Sequence, residues 1–74
     1  MKIGIIGLGF VGLSLASVLA SKGYDIVGVD TDKTKCNKIS NGISPFFEPE
    51  LEKVLQNGLK KKLRINDNFS SISE

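Results

Sequence analysis

The sequence has no histidine and no tryptophan, and it has a single cysteine among 74 residues. A lone Cys36 cannot close an intramolecular disulfide, and without histidine it has no partner for a zinc site of the usual kind. A reduced, cytoplasmic setting is the default for such a chain. No histidine or other base is at hand to activate the thiol, so Cys36 reads as a buried structural residue and not as a nucleophile. Size adds a second limit. A chain this short buries roughly 60% of its unfolded surface, and a core of this size rarely supplies more than about 3–5 kcal/mol.

An excess of one sign of charge is also lacking, with 10 Lys and Arg against 8 Asp and Glu. The net charge is +2, and most of the excess sits in Lys60, Lys61, Lys62 and Arg64. No aromatic interleaving or recognition motif accompanies this cluster, so it is no nucleic-acid footprint. It reads as a solvated turn after a helix that Asn57-Gly58 loosens. Between Ile3 and Ser21 there is no charge at all. With Lys2 in front and Leu19-Ala20-Ser21 behind, that stretch imitates a signal peptide, and its length is near the roughly 18–20 residues of a membrane span. Glycines at 4, 7, 9 and 12 argue against both readings, because they divide the stretch into a strand, a turn and a helix.

Lys2 to Ile6 is a short strand whose unbroken apolarity fits burial on both faces of a parallel sheet. From Val11 to Ser21 the spacing becomes helical, with Val11, Leu15, Val18 and Leu19 recurring at three and four as the expected core stripe. Lys22-Gly23 ends this helix. Asp25 to Val29 is a second strand, which completes a β–α–β unit expected to cross over right-handed. Thr31 or Asp32 can cap a second helix to about Ser40, its stripe being Cys36, Ile39 and Ile43. Glu48-Pro49-Glu50 opens a third helix with a buried face of Leu51, Val54, Leu55 and Leu59. Leu63 to Asn66 is a short third strand, and Ser70 to Glu74 resembles the opening of a further helix. The predicted fold is α/β, a partial Rossmann half of βαβαβ type with a parallel sheet ending before a fourth strand. In a sheet of order 3-2-1-4 the first strand would then stand at an open edge, which invites pairing with another chain.

Gly7-x-Gly9-x-x-Gly12 falls where the first strand becomes the first helix. Gly7 permits the tight turn, Gly9 lets backbone approach a pyrophosphate, and Gly12 lets the helix pack against the sheet. The N–H groups of Phe10, Val11 and Gly12 then point at a ligand from the positive end of the helix dipole. Asp30 ends the second strand eighteen residues after Gly12. A carboxylate there accepts from the adenosine ribose hydroxyls and repels a 2′-phosphate, so NAD is the expected cofactor. Asp32 reads as a helix cap. Lys35 is open on chemistry alone, either a solvated helical lysine or a phosphate or ribose contact.

Two stretches resemble the UDP-glucose/GDP-mannose 6-dehydrogenase family. One is Lys2 to Leu13, similar to that family's G-x-G-Y-V-G-L opening with Phe10 in place of tyrosine. The other, Gly42 to Leu51, is similar to its G-x-x-P-x-x-E-P-G-L, with Glu50 where the family has glycine. The likeness runs over essentially the whole chain, and Asp30 and Lys35 match the family's NAD-contacting acid and basic residue. It implies that residues 1–74 are the N-terminal part of an NAD-binding domain in a longer, homo-oligomeric enzyme. Such an enzyme oxidises the C6 alcohol of a UDP- or GDP-sugar to a carboxylate with two NAD, through a thioester on a cysteine beyond residue 74. Cys36 is not at that position, so no catalytic residue is assigned here. Prephenate and 3-hydroxyisobutyrate dehydrogenases, and the RCK-type NAD-sensing regulatory domains, resemble Ile3 to Asp30 as well. None of them accounts for Pro45 to Leu51.

Overall fold

The β-branched residues of Lys2–Ile6 and Asp25–Val29 form strands β1 and β2, and the helical spacing between them forms α1, Phe10–Ser21. The computed structural model describes residues 2–68, so the helix expected from Ser70 lies outside the described residues. After β2 come α2 (Lys33–Ser40), α3 (Pro49–Lys60) and β3 (Leu63–Asn66). The three strands form one parallel sheet in the order β1-β2-β3. Ile3 stands opposite Ile26, and Ile26 opposite Leu63.

Alternation along the strands sends Ile3, Ile5, Ile26, Leu63 and Ile65 to one face. There they meet Leu13, Ala16 and Ala20 of α1 and Leu51 and Leu55 of α3 in a single apolar cluster. Central β2 is buried from Ile26 to Val29, as unbroken apolarity suggests. Strand β1 is not. Gly4 and Ile6 are exposed, because β1 is the sheet edge and no strand lies beyond it among the described residues.

Helix α1 departs from its expected orientation. Leu13, Ala16, Ser17 and Ala20 are the residues it buries, whereas Val11, Leu15 and Val18 are 77%, 47% and 41% exposed. The helix is apolar on every side, so periodicity offers two stripes; Leu13 and the small Ala16, Ser17 and Ala20 take the interior, and of the expected stripe Leu19 packs half-buried against the core. Close approach to α3 explains that choice. A Cβ on Gly58 would lie 3.2 Å from the Ala20 Cβ and 3.3 Å from the Ser17 carbonyl oxygen. Only small residues fit between the two helices, and the Ser17 hydroxyl is buried with no hydrogen-bond partner among the described residues.

Gly58 therefore does not end α3, which continues to Lys60. The start of that helix follows the sequence closely. Glu48 is the N-cap, accepting from the Glu50 N–H at 3.2 Å, and Pro49 is the first helical residue. Helix α2 is capped by Asp32. Cys36 and Ile39 are its buried stripe, but Ile43 is 52% exposed because the chain has left the helix by then. The basic cluster is partly committed within the chain. Lys61 Nζ donates to the Ser21 carbonyl at 2.8 Å at the C-terminal end of α1, where a cation suits the dipole. Arg64 pairs with Asp25 at 2.6 Å.

The open β1 edge adjoins exposed Ile6, and Val11, Leu15 and Val18 add a further apolar stripe on α1. An uncovered strand edge beside apolar side chains templates pairing with another chain. We expect the 74-residue chain to self-associate in sedimentation experiments at micromolar concentration. Ile6→Lys should shift it toward monomer; a wild-type chain that is monomeric and melts sharply would contradict this.

Candidate dinucleotide-binding site

The C-terminal ends of β1 and β2 and the start of α1 meet at one corner of the sheet. Gly7 leaves β1 with φ +90°, a backbone region that side-chain-bearing residues rarely adopt, and its N–H still donates to Val29 O at 2.8 Å. The chain then turns so tightly that Gly12, one turn into α1, lies against the Gly7 carbonyl. A Cβ on Gly12 would overlap that oxygen. Gly9 is different. Its backbone is extended, and a Cβ there would meet nothing within 4 Å. Two glycines serve the fold, and the third leaves open space in front of the helix.

What faces that space is a helix start with no side-chain cap and no acid in its own first turn. Gly9, which has no side chain to offer, is the N-cap. Leu13 N–H is the first to close a helical bond, on Gly9 O at 2.9 Å. The N–H groups of Phe10, Val11 and Gly12 precede it and have no acceptor among the described residues, as expected for the first turn of a helix. Together they form a cradle for an anion, strengthened by the helix dipole.

Asp30 closes the other side. Its Oδ2 accepts from Leu8 N–H at 2.9 Å, and its Oδ1 accepts from Asp32 N–H at 3.0 Å. Lys35 Nζ lies 3.3 Å from Oδ2. The lysine is brought there by the Asp32 cap, whose Oδ1 takes the Lys35 N–H at 3.0 Å and so fixes the first turn of α2. Gly7, Gly9, Phe10, Val11, Gly12, Asp30 and Lys35 thus form one constellation, with Asp30 as its link. Cys36 sits behind it, its Sγ donating to Asp30 O at 3.3 Å; burial pushes its thiol pKa up. This agrees with a structural role. Among the described residues no group of three His, Cys, Asp or Glu could hold a metal ion.

The sequence did not disclose two parts of this corner. One is the Leu8 N–H that joins the turn to Asp30; Leu8 is fully buried, as an apolar residue between two glycines could have suggested. The other is Phe46, whose ring meets that of Phe10 edge to face, with centroids 5.6 Å apart. A cleft of about 480 Å³ runs along Ser44 to Pro49 and Glu52, and its lining is mainly apolar.

With this geometry in place, comparison with known proteins is decisive. The profile described as UDP-glucose/GDP-mannose dehydrogenase family, NAD binding domain, matches residues 1–74. The chain belongs to this family. It is 49% identical over 71 residues to the GDP-mannose 6-dehydrogenase of Pseudomonas syringae pv. tomato, covering 95% of the chain and 16% of that protein. It is 37% identical to the UDP-N-acetyl-D-mannosamine dehydrogenase of Pyrococcus horikoshii over 97% of its own length and 18% of the relative's. The structure superposes on a ternary complex of GDP-mannose dehydrogenase from Pseudomonas aeruginosa with a TM-score of 0.90 and 40% identity, over 96% of this chain and 16% of that one. The chain therefore corresponds to the NAD-binding domain of nucleotide-sugar dehydrogenases and spans about a sixth of their length.

The two kinds of glycine separate experimentally. Gly12→Ala should cost about 3 kcal/mol or more, since the clash is with backbone and cannot relax by a rotamer change. Gly9→Ala should cost less than about 1 kcal/mol, the scale of an N-cap change, while weakening dinucleotide binding. Urea melts alongside NAD titrations check both.

Asp30 also predicts a pH dependence. The Asp32 N–H, then the Leu8 N–H, hold its carboxyl below the usual carboxylate range; partial burial opposes this, and Lys35 adds to it. A carboxyl depressed by folding stabilises the native state fully above its unfolded pKa of roughly 3.9, and the benefit disappears as pH falls through the lower folded value. The stability gap between wild type and Asp30→Asn should be flat above about pH 5 and close below about pH 4. A gap constant down to pH 2.5 would refute this origin.

Proposed function

We propose that residues 1–74 hold the adenosine and pyrophosphate portion of NAD within an NAD-dependent nucleotide-sugar dehydrogenase. The observation that carries this reading is the uncapped start of α1, three N–H donors without acceptors among the described residues, beside a carboxylate at the end of β2. The cofactor fits these residues. Its pyrophosphate would lie on the Phe10, Val11 and Gly12 N–H groups in the space left by Gly9. Its adenosine ribose would donate to Asp30, with Lys35 balancing the charge of that carboxylate.

NAD, when bound, supplies the hydride acceptor. The chain's own residues bind and orient it, and none of residues 1–74 is assigned a catalytic role. For the whole enzyme the reading is oxidation of the C6 alcohol of a UDP- or GDP-sugar to a uronate with two NAD, as the family resemblance implies; the GDP-mannose 6-dehydrogenase and UDP-N-acetyl-D-mannosamine dehydrogenase relatives support a nucleotide-sugar dehydrogenase. The nucleotide sugar would be its substrate and a homo-oligomer its working form. A reducing cytoplasmic setting suits the buried free thiol of Cys36.

Asp30 is the selector in this reading. We expect the chain to bind NAD more tightly than NADP, because a 2′-phosphate would be brought against a carboxylate. Asp30→Ala should lower NAD affinity by about tenfold or more, the value of hydrogen bonds to a charged group, and abolish the preference. Equal affinity of the wild-type chain for the two cofactors, measured by calorimetric titration, would rule Asp30 out as selector.

A further inference from the structure

The segment from Pro45 to Leu51 carries the family resemblance, yet the cofactor cradle uses none of its side chains directly. Its one ring contact with the cradle gives it a function. Phe46 is half-buried against the core cluster, and its ring meets that of Phe10 at 88° with centroids 5.6 Å apart. Phe10 is the first residue of α1, and its N–H is one of the three donors. Of residues 9–12, two are glycines and Val11 is largely exposed. Besides the backbone contact of Gly12 with Gly7, the half-exposed Phe10 ring is what ties the first turn of α1 to the segment before α3.

The other half of the contact is firmly held. Ser44 N–H donates to Glu52 Oε2 of α3 at 3.0 Å, and Phe46 N–H donates to Ser44 Oγ at 3.1 Å. Glu48 N–H closes on Phe46 O at 2.9 Å, and Gln56 Nε2 holds Gly42 O at 3.0 Å. Phe46 is thus anchored through α3, which packs on α1 further along its length.

We propose that Phe46 is a positioning residue for the dinucleotide turn. Through the Phe10 ring it holds the first turn of α1, and the three N–H donors there, in the orientation a pyrophosphate needs. This extends the cofactor reading above and rests on it for its consequence in binding.

Amide hydrogen exchange at Leu13, whose N–H closes the first turn on Gly9 O, reads the brace without any ligand. Phe46→Leu keeps apolar bulk in the core but removes the ring, so it should speed Leu13 exchange several-fold and leave Ile26 and Leu55 unchanged. Phe46→Tyr should restore the wild-type rate. Phe10→Ala alone should match Phe46→Leu, and the double variant should add nothing. In titrations, Phe46→Leu should weaken NAD by about two- to tenfold, the range an edge-to-face pair supports. Adenosine, which would reach Asp30 but not the turn, should bind as before. Unchanged Leu13 exchange in Phe46→Leu, or additive effects in the double variant, would overturn the proposal. A wild-type chain that fails to bind NAD would overturn the cofactor reading instead, and Leu13 exchange would still decide the brace.

Discussion

Helix α1 can begin where it does because nothing stands between Gly12 and the Gly7 carbonyl. That contact sets the angle at which the chain turns from β1 into the helix, and much of the domain follows from the angle. It lays Leu13, Ala16 and Ala20 over the sheet and brings Ser17 and Ala20 against α3. It also aims the start of the helix at the corner where β2 ends. A single methyl group at position 12 would move the helix, and with it both the core and the cradle.

Asp30 reconciles two demands that conflict at this corner. In the proposed site a ribose acceptor requires a carboxylate, whereas a pyrophosphate held on the start of α1 would be weakened by one. The conflict is eased by three donors. The N–H groups of Leu8 and Asp32 and the Lys35 ammonium all engage the carboxylate. The negative charge is thereby balanced locally, and the helix dipole of α1 is left to act on the other ligand group. The same bonds make the acid part of the turn's scaffold, since Leu8 sits inside the Gly7–Gly9 bend.

Much of this was legible in the sequence, and the exceptions share a cause. The strands, the Asp32 and Glu48 caps and the glycine turn are local features, each fixed by a few neighbouring residues. Helix α1 was misoriented because its residues are apolar on all sides, so its own pattern does not say which stripe is buried. That choice belongs to α3, which requires small residues at the contact. Gly58 follows the same rule: within its own stretch it is a helix breaker, and only the proximity of Ser17 and Ala20 explains its place inside α3. The structure brings Gly7, Gly9, Phe10, Val11, Gly12 and Asp30 to one corner because the glycine turn and the end of β2 are neighbours in the sheet, whereas Lys35 reaches Asp30 only through the Asp32 cap of α2. Phe46 reaching Phe10 across 36 positions was not legible, since nothing in Ser44-Pro45-Phe46-Phe47 tells which ring turns inward.

The burial of Cys36 behind Asp30 gives the corner a built-in reporter. Its sulfur touches the Asp30 carbonyl and, at 3.6 Å, the Asn66 carbonyl, and so joins α2 to the ends of two strands. Enclosed and with its pKa raised, the thiol is a poor target for an alkylating reagent while the corner stays shut. Modification must wait for α2 to lift from the sheet. The rate at which a maleimide consumes Cys36 is then a clock for the opening of the corner around Asp30, with no engineered label required.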